Sequence, residues 1–253
     1  MSMVENPTLK TIFNRKSIRK FKHQKVPREI IEQIVRAGQR APTACKMQSY
    51  SFIIVSDTNK KREILLATVR HLPTRKFMAE APLWIMICTD FARQLKLFKL
   101  LGIKTNQLFG GGRPGVIDAT LAAENMVLAA EALGLGSCFV GTVWTAPKRI
   151  AEILNLPKNV LPIVLLCIGY PNETPSLRPR WPLEAVLHEN EYVMPTEQLM
   201  REYYEKTNKQ LIETNSFAHE KGINSLVEQW KKKYQPGSDT YEGVGAETKY
   251  EEE

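Results

Sequence analysis

Between Val116 and Leu133 the chain carries a helix-length stretch with apolar residues on nearly every side. A helix of this kind has no face to give to solvent, so it belongs in a core or at a subunit interface. Gly134 and Gly136 stop it. The 253 residues are enough to wrap it in a sizeable core. Short continuous apolar runs supply the surroundings: Tyr50–Ser56, Leu83–Cys88, Ser137–Val143 and Val160–Ile168. Each reads as a strand, the first as one buried on both faces.

The remaining periodic segments read as helices. They are Thr8–Phe13, Arg28–Arg40 (opened by Pro27, with Ile30, Ile31, Ile34, Val35 and Ala37 on one side), Lys60–Val69, Pro147–Leu154, Leu199–Ile212 and Phe217–Tyr234. Gly110–Gly115 reads as a mobile loop, Ala41–Ala44 as a turn and Leu177–Pro182 as a proline-framed basic loop. Strands mixed with long helices, one of them deeply apolar, predict a single α/β (α+β) sandwich over residues 1–234. Residues 235–253 are Gly- and Glu-rich with few core-forming side chains, and are expected to form an acidic, disordered tail.

Charge and cysteine use narrow the function classes. The formal charge is +8, but the tail from Gln235 holds six carboxylates against Lys249, which leaves −5 there and +13 on the rest. A basic body suits a phosphate-bearing cofactor, nucleic acid or acidic lipid, or is simply a basic solvated surface. No zinc knuckle, helix-turn-helix or basic-aromatic motif supports nucleic acid. The longest apolar run, Val160–Ile168, is broken by Pro162, and Met1–Phe13 lacks the character of a signal peptide, so neither membrane nor export is expected. Cys45, Cys88, Cys138 and Cys167 form no CxxC pair, which fits reduced thiols in the cytoplasm. His23, His71, His188 and His219 are too scattered for a metal site.

Four clusters carry candidate chemistry. Arg15, Lys16, Ser17 and Arg19 can hold a phosphate through charge-assisted hydrogen bonds. Pro42, Thr43 and Ala44 make a flat wall for a planar ring, Met47 adds a polarisable contact, and Gln48 can donate or accept at a ring edge. Phe139, Val140 and Gly141 end a strand, where the glycine lets backbone approach a ligand. Arg178 and Arg180 are cations framed by prolines. Taken singly, each also reads as an ordinary turn or loop.

Taken in order, these clusters resemble the nitroreductase family. The resemblance rests on Arg15-x-Ser17-x-Arg19-x-Phe21, then Ala41-Pro42-Thr43 with Gln48, then Glu131-Ala132-Leu133-Gly134-Leu135-Gly136. Leu154-Asn155-Leu156-Pro157, Val160-Leu161-Pro162, Gly169-Tyr170-Pro171, Arg178-Pro179-Arg180-Trp181-Pro182 and Val186–Asn190 resemble one branch, the NADPH-preferring flavin reductases and oxygen-insensitive nitroreductases. The resemblance spans Leu9–Tyr204. It implies a three-layer sandwich with a central, mixed, mostly antiparallel sheet flanked by helices, in a domain-swapped homodimer with FMN at the interface. It also implies an FMN-dependent oxidoreductase that passes hydride from NADPH or NADH to small-molecule acceptors such as nitroaromatics, quinones or flavins, by a ping-pong mechanism.

Residue by residue, the resemblance assigns Arg15, Ser17, Arg178 and Arg180 to the FMN phosphate, with Lys16 beside them. It assigns Arg19 to the N1/O2 edge of the ring and Phe139–Gly141 to its lining. Pro42, Thr43 and Ala44 would come from the other subunit, with Met47 and Gln48 nearby. A fixed arginine at N1/O2 stabilises the charge that reduction places there, so no protein acid, base or nucleophile is required. Lys206–Gln210 has two lysines where that branch carries an arginine-rich loop, which leaves NADPH against NADH open. Reductive dehalogenation on the same fold stays an alternative, and from another class so does a non-enzymatic nucleic-acid binder. A Rossmann dehydrogenase is disfavoured, because Gly110–Gly115 has the wrong spacing and no clear strand leads into it.

Overall fold

The computed structural model describes residues 6–68, 72–105, 112–214 and 225–234. The chain divides after Thr174 into two compact units. In the first, α1 (Pro7–Asn14) and α2 (Arg28–Gly38) precede β1 (Tyr50–Ile54), and α3 (Thr58–Thr68) and α4 (Leu72–Glu80) precede β2 (Leu83–Asp90). Then come α5 (Ala92–Leu100), α6 (Arg113–Ala132), β3 (Gly136–Val140), α7 (Pro147–Ile153) and β4 (Val160–Gly169). The sheet order is β1-β2-β4-β3 and every pair of neighbours is antiparallel. A parallel bridge between Ser17 and Ser137 adds a mixed element at the β3 edge.

β2 is buried along its whole length, as its unbroken apolar run predicts. Side chains alternate across the sheet, and Leu83, Ile85 and Ile87 join Leu166 and Ile168 in one core with α2 and α6. The opposite face carries Trp84, whose indole donates to the Met78 carbonyl of α4 at 2.8 Å and whose ring lies under Lys61 of α3. Helices on both faces of the sheet make three layers. Pro162 is tolerated in β4 because the register with β2 shifts beside its partner Cys88.

α6 packs its small residues Ala119, Ala122, Ala123 and Ala130 inward, each fully buried. α2 crosses so closely that a Cβ on Gly38 would sit 2.7 Å from Met126 Cγ. Ile117 and Leu121, one turn apart on α6, stay exposed, as do Leu97 and Leu100 of α5 and Leu101 at its C-cap.

Several sequence expectations change. β1 is an edge strand and Ser51–Ile54 are only half-buried, not buried on both faces, because only β2 flanks it. The third strand stops at Val140, and Gly141–Thr145 turn into a 3₁₀ helix where the glycine frees the backbone. Arg113–Gly115 form the first turn of α6 and not a loop, with Pro114 suited to that position and Gly112 capping it at φ 89°. Residues 110 and 111 lie outside the described residues, as do 217–224 and the acidic tail. α4 and α5 have no counterpart among the helices expected from the sequence.

The second unit contains α8 (Glu197–Thr214) and α9 (Leu226–Tyr234). Leu211, Leu226 and Tyr204 pack together, and Asn208 accepts a hydrogen bond from the Leu226 amide at 2.8 Å. Lys206–Gln210 lie within α8, in agreement with the helix expected over Leu199–Ile212. Among the described residues no helix is long and apolar enough to cross a membrane, and no cluster of His, Cys, Asp or Glu could hold a metal ion.

Candidate active site

Residues 15–22 leave α1 in extended form and follow the edge of the sheet. The Ile18 amide donates to the Ser137 carbonyl at 2.9 Å, and the Lys22 amide to the Tyr170 carbonyl at 2.8 Å. Glu173 Oε1 accepts from the amides of Arg19, at 2.5 Å, and Lys20, at 3.0 Å. These bonds fix Ser17 beside the start of β3. Behind the segment, a Cβ on Gly136 would meet Ile18 Cγ1 at 2.4 Å, so only glycine lets the two backbone segments approach this closely. The Arg19 guanidinium lies 5.9 Å from the centre of the Phe77 ring of α4.

Three residues beyond Ser137, about 10 Å along the strand, β3 ends at Val140, and Gly141 opens the 3₁₀ turn that follows. Nothing lies within 4 Å of the position a Cβ would take there. The neighbouring Thr142 hydroxyl is buried and has no hydrogen-bond partner among the described residues, and the Ser137 hydroxyl is in the same state. The arrangement is a cationic segment at one end of a strand, open space over a glycine at the other, and two unused hydroxyls along it. A long ligand with an anionic head and a flat polar body fits this donor set. Glu131, at the end of α6, faces the cationic end. Burial raises its carboxyl above the ordinary range, the nearby charges of Arg15 and Lys16 pull it down, and Glu124 adds to the rise.

The wall formed by Pro42–Gln48 is built differently. Ala44–Lys46 make a turn of 3₁₀ helix, and Cys45, Lys46 and Gln48 have φ of 49°, 57° and 50°. Left-handed backbone costs a side-chain-bearing residue on the order of 1–2 kcal/mol. It persists because the backbone is held from outside. Asp118 of α6 accepts from the amides of Ala44, at 3.0 Å, and Ser49, at 3.2 Å. Arg93 of α5 donates to the carbonyls of Gln48 and Tyr50 at 2.9 and 2.8 Å, and Gln94 donates to the Met47 carbonyl. The wall is thus tied to α5 and α6, whereas residues 15–22 are tied to β3 and to residues 170–173.

In the second unit, Arg178 and Arg180 sit on a loop fastened to α8. Trp181 stacks on Tyr203 with ring centres 3.8 Å apart, and Gln210 donates to Ser176 Oγ at 3.3 Å and to the Leu177 carbonyl at 2.5 Å. The fold brings Ser17 to β3, which carries Phe139 and Val140 and leads into Gly141.

Asp118, Arg93, Gln94 and Glu173 belong to none of the motifs that mark the site in the sequence. A lone aspartate inside an almost wholly apolar helix was the one available signal, and Asp118 is 1% exposed. A buried carboxylate needs partners, so it marks a place where backbone amides converge.

The model of the nitroreductase family matches residues 12–170, which covers more than half of the chain and ends before Arg178. The chain is 35% identical over 195 residues to the FMN reductase (NADPH) of Bacillus subtilis, covering 76% of this chain and 77% of that protein. It is 33% identical over 203 residues to the oxygen-insensitive NADPH nitroreductase of Salmonella typhimurium, covering 79% and 81%. The solved structure of the NfrA1 nitroreductase from B. subtilis superposes with a TM-score of 0.75 at 31% identity, covering 88% of this chain and 90% of the other. Fold, residue pattern and comparisons agree: the chain belongs to the nitroreductase family.

Proposed function

We propose that this protein is an FMN-dependent oxidoreductase that draws electrons from NAD(P)H and reduces small-molecule acceptors of the nitroaromatic, quinone or flavin class. The observation that carries the reading is the built strand edge. Ser17 and its neighbouring cations are bonded to β3, which leads to the open backbone at Gly141. The names of the FMN reductase and nitroreductase relatives support it. FMN, when bound, would supply the hydride-transfer chemistry between the nicotinamide donor and the acceptor.

Arg15, Lys16 and Ser17 hold the phosphate at the cationic end, and Arg178 and Arg180 add two charges to it. Arg19 would place a fixed positive charge at the N1/O2 edge, where a reduced ring carries negative charge. Phe139, Val140 and Gly141 line the ring. Pro42, Thr43, Ala44, Met47 and Gln48 form a wall given to the site of a second copy, which makes the working unit a homodimer. Exposed Leu97 and Leu100 of α5 and Leu101 at its C-cap, with Ile117 and Leu121 of α6, support an interface with that copy. Three of the four cysteines are buried and none forms a disulfide, which suits a reducing cytoplasm.

Purified protein tests the reading. It should carry, or take up, FMN with absorption at about 450 nm. Anaerobic initial rates with NADH and NADPH should give parallel double-reciprocal lines, since one open face serves donor and acceptor in turn. A colourless protein that does not bind added FMN refutes the function. Intersecting lines refute the shared face.

A further inference from the structure

We propose that Asp118, assisted by Arg93, is a positioning residue for the flavin wall. The inference rests on the FMN reading above and goes beyond it by naming what sets the wall's shape. Pro42–Gln48 contains no glycine, yet Cys45, Lys46 and Gln48 occupy left-handed backbone. A loop of that composition relaxes to ordinary backbone unless both its amides and its carbonyls are held.

The structure supplies both. The two carboxylate oxygens of Asp118 divide the work: Oδ1 takes the Ala44 amide and Oδ2 the Ser49 amide. These two amides bracket the left-handed turn, so one carboxylate sets the distance between its ends. Arg93 Nη2 bridges the carbonyls of Gln48 and Tyr50, which joins the end of the turn to β1. The chain continues from this clamp into the paired sheet, with the Asp90 amide donating to the Ser49 carbonyl at 3.0 Å. A charged acceptor is required. Each oxygen faces an N–H, and an asparagine would turn its own NH₂ toward one of them. Asp118 touches no ligand in this scheme. It acts through the position of Thr43, Ala44 and Gln48.

The wall lies against the ring and not the phosphate, and this separates the clamp from the phosphate residues. Asp118→Asn should weaken FMN and riboflavin binding by the same factor, about tenfold, measured by quenching of flavin fluorescence in the purified dimer. Arg93→Ala, at an exposed side chain, should weaken both by about threefold. It should raise KM for the nicotinamide donor more than it lowers kcat at saturating FMN. The double variant should lose less than the product of the single losses, because both residues hold one loop. Should Asp118→Asn fail to fold, Arg93→Ala and Arg93→Lys decide, with lysine restoring part of the loss through a single donor.

A wild-type protein that binds neither flavin refutes the FMN reading itself. A wild-type protein that binds FMN, with clamp variants that melt lower yet bind both flavins as tightly, refutes only the positioning role. Loss of FMN affinity with riboflavin affinity intact overturns it too, since the defect would then lie at the phosphate.

Discussion

Gly136→Ala tests whether close packing against β3 is what places the cationic segment. A Cβ there would lie 2.4 Å from Ile18 Cγ1 and 2.9 Å from Ile18 Cβ, where ordinary contact begins at 3.4 Å. Rotating χ1 of Ile18 moves Cγ1 aside but cannot move Cβ. The backbone of Ile18 must therefore retreat by about 0.5 Å. Ile18 is 6% exposed, and its amide is bonded to the Ser137 carbonyl at 2.9 Å. A retreat of that size stretches the bond beyond the usual range. Overpacking of this kind costs about 1–3 kcal/mol, and at about 2–4 °C per kcal/mol for a chain of this size Tm should fall by roughly 2–12 °C.

Function should respond more selectively. Ser17 and Arg19 flank the displaced residue, and loss of one charge-assisted hydrogen bond to phosphate corresponds to about tenfold or more in FMN affinity. Riboflavin, which lacks the phosphate, should lose less. Gly134→Ala is the control. Gly134 has φ +76° with nothing within 4 Å of a Cβ, so alanine there strains the backbone by about 1–2 kcal/mol and leaves Ile18 alone. Both variants are read by melting and by titration with the two flavins. A Gly136→Ala protein that melts and binds FMN like the wild type would refute the argument that this contact positions the segment.

Arg180→Ala should weaken FMN by about ten- to a hundredfold and riboflavin hardly at all, and equal loss for both would remove Arg180 from the phosphate site. Glu131 has its carboxyl raised by burial, so its contribution to stability is full below its unfolded pKa and is lost as pH rises through the folded one. Glu131→Gln and wild-type apoprotein should therefore melt together below about pH 4 and separate above it, the variant being the more stable, and parallel melting curves across that range would contradict the assignment. Removing residues 235–253 should leave turnover and FMN content within about twofold of the full chain, since the segment is acidic and poor in core-forming residues, and a large loss of flavin on truncation would show otherwise.

Much of the fold was legible because its signals are local. The unbroken apolar run from Leu83 gave a strand buried at every position, and the apolar length of α6 gave a helix packed against the sheet. The motif order gave the family, whereas the position of Ser17 beside the strand that leads to Gly141 came only from the fold. The partners of polar side chains were not legible, because nothing local specifies them. Asp118 bonds to an amide 74 residues away and Glu173 to one 154 residues away. β1 has the composition of a buried strand and lies at an edge, since the number of neighbours a strand acquires depends on the topology of the whole sheet. The wall loop shows the division most sharply. Its sequence supplies small residues and a proline beside a strand, enough to suggest a surface for a ring. That Cys45, Lys46 and Gln48 turn left-handed without a glycine is decided by a carboxylate from α6 and a guanidinium from α5, which outweigh the local backbone preference once the tertiary structure has brought them together.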